Sequence, residues 1–194
     1  MNLFFRLLVM LARNLLFPRR IGYLDESILN FRVWITDHDA FMHMNNSRYT
    51  SICDLGSIDL LMKAGVFGPV RKAGFSPVIV YRGVTLHRML RFPNAYSIRT
   101  CIIGWDGPYV CFKHDFVRKT KLCAEAISIG RMVGKGDNKP DIERILTALD
   151  LPEPPKSPPL PDVCRNKIDE VETARAKRAA DRKKALIKNK KNLL

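Results

Sequence analysis

Hydrophobic and polar positions along the chain alternate between helical and strand spacing in a readable order. Residues 1–17, MNLFFRLLVMLARNLLF, are strongly apolar, but Arg6 and Arg13 interrupt them and the longest clean run is Leu7 to Ala12, too short to span a bilayer. At helical spacing Asn2, Arg6 and Arg13 share one side while Leu, Phe and Met cover most of the rest. With Arg19 and Arg20 following Pro18, the pattern predicts a helix lying in a membrane surface. Packing on its own domain or in a dimer interface is the alternative; a cleaved signal peptide is a third, without a clear small-x-small cleavage site. Ser27 to Thr36 then alternates and is rich in β-branched and aromatic residues, which predicts a strand.

The stretch from Asp37 to Asn46 is dense in Asp, His and Asn and reads as a loop. From Ser47 to Ala64, Tyr49, Ile52, Cys53, Ile58, Leu60 and Leu61 recur at roughly helical spacing, and Asn45 or Asn46 can cap a single long helix. Four strand-like runs follow: Pro77 to Leu86, Ala95 to Trp105, Tyr109 to Arg118 and Lys121 to Val133. Asp106-Gly107-Pro108 and Lys119-Thr120 supply short turns and predict an antiparallel meander. Such a sheet must bury one face, and only the 47–64 helix can cover it. The expected architecture is an α+β hotdog fold, a curled antiparallel five-stranded sheet wrapped around one long helix.

Asp141 to Leu149 reads as a short helix, and Leu151 to Pro161 (LPEPPKSPPLP) as a proline-rich linker outside the core. The expected organisation is an amphipathic N-terminal helix over 1–20, the hotdog domain over 21–150, the linker over 151–161 and a basic tail over 162–194. The tail carries 11 Lys and Arg against 5 Asp and Glu, or +6, and reads as solvated or partly helical, with contact to an anionic surface as the sharper alternative.

Charge changes the picture only in part. A formal net charge of +14 over 194 residues favours an anionic partner, whether CoA phosphate, acidic membrane or nucleic acid, without choosing among them. Five widely spaced cysteines, an odd number without a C-x-x-C pair, predict free buried thiols in a reducing, intracellular compartment rather than zinc or disulfide chemistry. A Gly-rich phosphate loop and a Ser/His/Asp order are missing from the sequence, so dinucleotide and serine-hydrolase chemistries lack support.

Between Asp37 and Tyr49, two carboxylates, two histidines and two amides fall between a strand and a helix start. Backbone amides at a helix N-terminus can polarise a carbonyl, and a nearby carboxylate can attack its carbon or activate water, a pairing suited to acyl transfer. A polar loop in which Asp37 and Asp39 only satisfy backbone donors is the bland alternative. His38, between the two aspartates, reads as a surface or supporting residue, His87 as an exposed neighbour of Arg88, and His114 as a core histidine beside Phe112 and Phe116.

The string Val33-Trp34-Ile35-Thr36-Asp37-His38-Asp39-Ala40-Phe41-Met42-His43-Met44-Asn45-Asn46-Ser47-Arg48-Tyr49 resembles the Asp-x-Asp-x-x-Gly-His-Val-Asn-Asn-x-x-Tyr signature of hotdog-fold acyl-CoA thioesterases of the 4-hydroxybenzoyl-CoA thioesterase type. Tyr81-Arg82, Arg91-Phe92-Pro93, Gly104-Trp105-Asp106 and Tyr109 to Phe116 resemble the subgroup of thioesterase superfamily member six, so the likeness covers about residues 22–135. It implies hydrolysis of an acyl-CoA to free acid and CoA, with Asp39 as nucleophile or general base, His43 assisting, and Asp37 structural. Met44, Asn45 and Asn46 are the implied thioester-positioning residues at the helix start. No metal or organic cofactor is implied, and a homodimer with edge strands joined into a ten-stranded sheet is.

Arg82 and Arg91, together with Arg88, are candidates for the CoA phosphates, with scattered surface charge the equal alternative. Two positions depart from the pattern: Phe41, and Met42 in place of the usual Gly, which sets a Cβ where Gly would allow close approach to the thioester. That departure, the amphipathic N-terminus and the basic tail motivate a rival expectation, a non-catalytic membrane-associated binder of acyl-CoA or lipid. Localisation is expected to be cytoplasmic, peripheral to a membrane, with nucleic acid the least favoured partner.

Overall fold

The computed structural model describes residues 3–134, 142 and 156–191. Within them the chain forms two units, Met1–Leu160 and Pro161–Leu194. The first contains helix α1 (Leu3–Leu16), strand β1 (Ser27–Arg32), a 3-10 turn (Ile35–Asp37), the long helix α2 (Asn46–Lys63), a short helix α3 (Phe67–Lys72) and strands β2 (Phe75–Leu86), β3 (Ala95–Asp106), β4 (Tyr109–Arg118) and β5 (Lys121–Gly134). The second is one helix, Asp162–Lys191, largely polar and solvated. Apart from Ile142, the helix expected at Asp141 to Leu149 lies outside the described residues.

The five strands form one antiparallel sheet in the order β1-β3-β4-β5-β2, with α2 packed across it: the expected hotdog arrangement. β3, β4 and β5 are the expected meander. β2 is not part of it, because it pairs with β5, Arg82 opposite Ser128, and residues 87–94 carry the chain back across the sheet. β1 ends at Arg32 rather than continuing to Thr36, since the Asp37 carboxylate accepts the Trp34 amide (2.9 Å) and folds 35–37 into the 3-10 turn. In the proline-rich segment, residues 156–160 are docked on β3: Ser157 Oγ accepts from Trp105 N (2.8 Å) and donates to Trp105 O (2.7 Å).

A polar row runs across the middle of the sheet beneath α2. Thr100 Oγ1 meets His114 Nδ1 (3.0 Å), His114 Nε2 meets Ser128 Oγ (3.0 Å), and Arg82 donates to Ser128 Oγ (2.7 Å), to Thr50 O (2.6 Å) and to Asp54 (2.8 Å). Gly56 sits over this row, where a Cβ would collide with Thr100 Oγ1. On one side lies an apolar cluster including Met44, Tyr49, Ile52, Ile98 and Phe116; on the other, one including Leu60, Leu61, Trp105, Val110 and Phe112. Burial drives the His114 imidazole down to about 3, aided by the Arg82 charge, so it is neutral in the folded chain.

α1 docks through a mixed face that carries Arg6, Met10 and Asn14 with Leu3, Leu7 and Leu11 beside them, while Arg13 stays exposed. Arg6 is 2% exposed, pairs with Asp37 and donates to Arg32 O (3.1 Å), while Asn14 donates to Asp59 (2.7 Å) on the back of α2. The helix therefore packs on its own domain, and the side that packs is the one carrying Arg6. Phe4, Phe5, Leu8, Val9, Leu15 and Leu16 are left facing outward, 46–75% exposed. Covered by the sheet on one side and α1 on the other, α2 buries residues around most of its circumference, including Asp59, which is satisfied by Asn14, Ser27 and Lys63.

Candidate active site

Asp37 and Asp39, two residues apart, end in different environments. Asp37 is 1% exposed and holds the Trp34 amide and Arg6, with Arg48 Nε 3.6 Å away; its backbone oxygen accepts the Asn45 amide (2.8 Å). It anchors the loop. Asp39 reaches the surface of a tight turn closed by Asp39 N to His43 O (3.0 Å) and Met42 N to Asp39 O (3.2 Å). Its carboxylate accepts the Phe41 amide (2.9 Å) and lies 3.1 Å from His43 Nδ1, with both side chains about one-fifth to one-quarter exposed. Met42 occupies φ 60, in the left-handed region that a glycine enters without strain, and its side chain is exposed. Gly at this place in the family signature thus matches a backbone need of the turn itself.

His43, Met44, Asn46 and Tyr49 form one wall of a cleft of about 300 Å³. The other wall is Leu86, His87, Arg88 and Met89, the end of β2 and the start of the crossing segment. Hydrogen bonds tie the signature loop to the crossing segment behind the walls: Met44 N donates to Leu90 O (2.7 Å), Val33 N to Asn94 O (2.9 Å), and Phe92 N to the His38 side chain at Nε2 (2.8 Å). Tyr49 stacks edge-on against Phe116 at 5.0 Å, and burial pushes its hydroxyl up to about 12, so it stays protonated. Asn45 caps α2 through Ser47 N (2.8 Å). With the amides of Met44 and Asn45 already taken, the amide of Asn46 is the one at the cleft that lies in the first turn of α2, where a helix has no internal acceptor to offer.

The structure thus sets His43, Met44 and Asn46 on the cleft, with Asp39 3.1 Å from His43 beside it and Asn45 used as the helix cap. Arg82 stands apart from them, each of its three nitrogens donating elsewhere, to Ser128 in the polar row and to Thr50 O and Asp54 on α2. Arg91 is exposed in the crossing turn, its amide held by Asn94. His38 supports the crossing segment and His114 is buried, both as read from the sequence. His87, read as a plain surface residue, lies in the cleft wall and meets Glu125 at 3.1 Å. Leu86 and Met89 in that wall had no signal beyond an apolar strand end.

None of the five cysteines is in a disulfide, and burial raises Cys53 to about 12. Among the described residues no helix is long and apolar enough to cross a membrane, and no cluster of three or more potential metal ligands occurs.

Comparison with known proteins gives one concordant result. A family model described as the thioesterase-like superfamily matches residues 33–168. Protein THEM6 of Danio rerio is 28% identical over 108 residues, covering 56% of this chain and 54% of that protein. The chain spans about half the length of the curated relatives it matches. Among solved structures, the hypothetical protein TT1821 of Thermus thermophilus aligns with a TM-score of 0.57 at 22% identity, over 63% of this chain and 96% of its own. The DHNA-CoA thioesterase of Staphylococcus aureus aligns with a TM-score of 0.56 at 12% identity, over 64% and 85%. At such identities the likeness concerns the fold.

Proposed function

Since the chain belongs to the thioesterase-like superfamily, we propose that it hydrolyses an acyl-CoA thioester to the free acid and CoA at the cleft between His43-Tyr49 and Leu86-Met89, with Asp39 beside it. The observation that carries this reading is a partly exposed carboxylate, Asp39, held by the Phe41 amide and 3.1 Å from His43, which lines a cleft together with Asn46 in the first turn of a long helix. Asp39 takes a proton from the attacking water, or attacks the carbonyl carbon to form an anhydride that water then hydrolyses to free acid and restored carboxylate, and the Asn46 amide stabilises the oxygen as it gains charge. The thiolate of CoA leaves and takes up a proton, for which His43 is the nearest titratable partner of Asp39. Met44, Tyr49, Leu86 and Met89 offer an apolar channel wall for the acyl chain. Release of CoA thiol across a panel of acyl-CoA chain lengths tests the reading; binding without release at any length would sink it.

A homodimer is part of the proposal. β2 is a twelve-residue edge strand with Val78 49% and Ile79 37% exposed, an edge that natural sheets rarely leave open. Pairing it with the same strand of a second copy gives a ten-stranded sheet and sets the partner beside Leu86 to Met89. A monomer by light scattering at micromolar concentration would exclude this.

A second reading, a membrane-associated acyl-CoA or lipid binder without turnover, is favoured by one observation: the outward apolar face of α1, flanked by exposed Arg13, Arg19 and Arg20. Membrane attachment is compatible with both readings, and turnover separates them.

A further inference from the structure

A second hollow of about 210 Å³, against the β4–β5 hairpin, shares Arg88 and Met89 with the lining of the cleft. Its lining is strongly one-signed: Arg88, Arg118, Lys119 and Lys121, with no carboxylate among the lining residues. Some other cations are paired, as at Arg6 with Asp37, Arg82 with Asp54 and Lys113 with Asp115, but what sets this hollow apart is that its cations are gathered in one place. These four have no carboxylate partner among the described residues.

The arrangement is also locally unfavourable. Arg118 and Lys121 are direct cross-strand partners in the last rung of the hairpin, and like charges opposite one another destabilise a ladder. Lys119, between them, sits at φ 56, where an asparagine or glycine is at ease and a lysine is not. The amides of His87 and Arg88 both donate to Cys123 O (2.8 Å each), fixing the hairpin against the cleft wall. A fixed, unpaired cationic hollow of this kind is complementary to phosphate oxygens.

We propose that this hollow holds the phosphate end of a CoA thioester, its diphosphate and 3′-phosphate, while the thioester lies in the adjoining cleft. The assignment rests on the acyl-CoA reading above and places the phosphates on Arg88, Arg118, Lys119 and Lys121 rather than on Arg82. Arg88 and Met89, common to both hollows, form the passage for the pantetheine arm.

Isothermal titration of the full chain with CoA, 3′-dephospho-CoA and pantetheine tests it without needing turnover. Wild-type protein should bind CoA more tightly than either analogue, with affinity falling steeply as salt rises. Arg118→Ser/Lys119→Asn/Lys121→Ser, on an exposed hairpin, should weaken CoA by about tenfold or more and shrink its advantage over pantetheine. Arg88→Gln should act in the same direction. CoA affinity unchanged in the triple variant, or no CoA binding by the wild type at millimolar concentration, overturns the assignment. So does hairpin-dependent binding to phosphatidylserine vesicles without CoA binding, which would give these cations to a membrane. The two readings fail separately: CoA affinity without thioester hydrolysis removes only the hydrolase, whereas hydrolysis of an acyl-pantetheine without CoA affinity removes only the phosphate site.

Discussion

Arg6 on the first helix and Asp37 in the signature loop form an ion pair 31 residues apart in which each side chain is 1% exposed. Arg6→Met leaves a buried carboxylate with the Trp34 amide and a guanidinium 3.6 Å away as its remaining support. Breaking a buried pair from one side costs about 3–5 kcal/mol, so the denaturation midpoint should drop sharply. Adding Asp37→Asn should recover part of the loss, because a neutral amide needs no counter-charge. A single variant as stable as wild type would mean that α1 is not held in this way.

Asp39→Asn keeps the shape of the turn and removes the charge. Turnover should fall by about two to four orders of magnitude with the fold intact. His43→Ala should cost less, and Asp37→Asn should act through stability, with the smallest effect on rate per folded molecule. If Asp37→Asn abolishes turnover in a folded protein while Asp39→Asn spares it, the roles of the two carboxylates are reversed.

Met42→Gly should stabilise the protein. The left-handed backbone at φ 60 costs a side-chain-bearing residue about 1 kcal/mol, partly offset by the greater freedom glycine has when unfolded. An exposed methionine gives up little packing in exchange. Urea unfolding should show a small gain; a clear loss would show that the Met42 side chain holds the turn.

His114 titrates near 3 when folded, against its ordinary 6.5. Between those values the unfolded chain binds a proton that the folded chain refuses. Its contribution is therefore complete above about pH 6.5 and declines as pH falls toward 3, by about 1.4 kcal/mol per pH unit. His114→Gln should flatten the difference in stability between pH 7.5 and pH 5 relative to wild type. Parallel pH profiles for the two proteins would contradict the assignment.

Membrane attachment is best tested on the outer face of α1, because removing the helix would also strip Asp37 of Arg6. Leu8→Ser/Leu15→Ser/Leu16→Ser changes only exposed positions. Wild-type protein should sediment with anionic vesicles and the triple variant should stay in the supernatant. Equal partition would return this face to a protein partner.

Much of the fold was legible because its signals are local. The spacing of Tyr49, Ile52 and Leu60 placed the long helix at Ser47 to Ala64, within one residue at each end of Asn46–Lys63; alternation placed β2 to β5 almost as closely but carried β1 past Arg32 to Thr36. Pairing was harder, since nothing near β2 announces that its partner is β5 rather than the next strand along the chain. The orientation of α1 was illegible for a related reason. One polar stripe on a helix says which side differs, not which side the protein covers, and Arg6 finds its partner only when Asp37 arrives from far along the sequence. In the site, Asp39 and His43 stood out as neighbours in one short loop. Their opposite wall, Leu86 to Met89, came from another part of the chain and looked like any strand end.

The row of Thr100, His114, Ser128 and Arg82 acts as a bulkhead inside the molecule. Apolar side chains on its two sides do not share a continuous core, so a volume change at Ile52 and one at Leu60 should combine additively. The compartment nearer Met44 and Tyr49 borders the cleft, and the one around Trp105 does not. Evolution or design can thus recarve the first for a longer or shorter guest while the second keeps the sheet and helix in register.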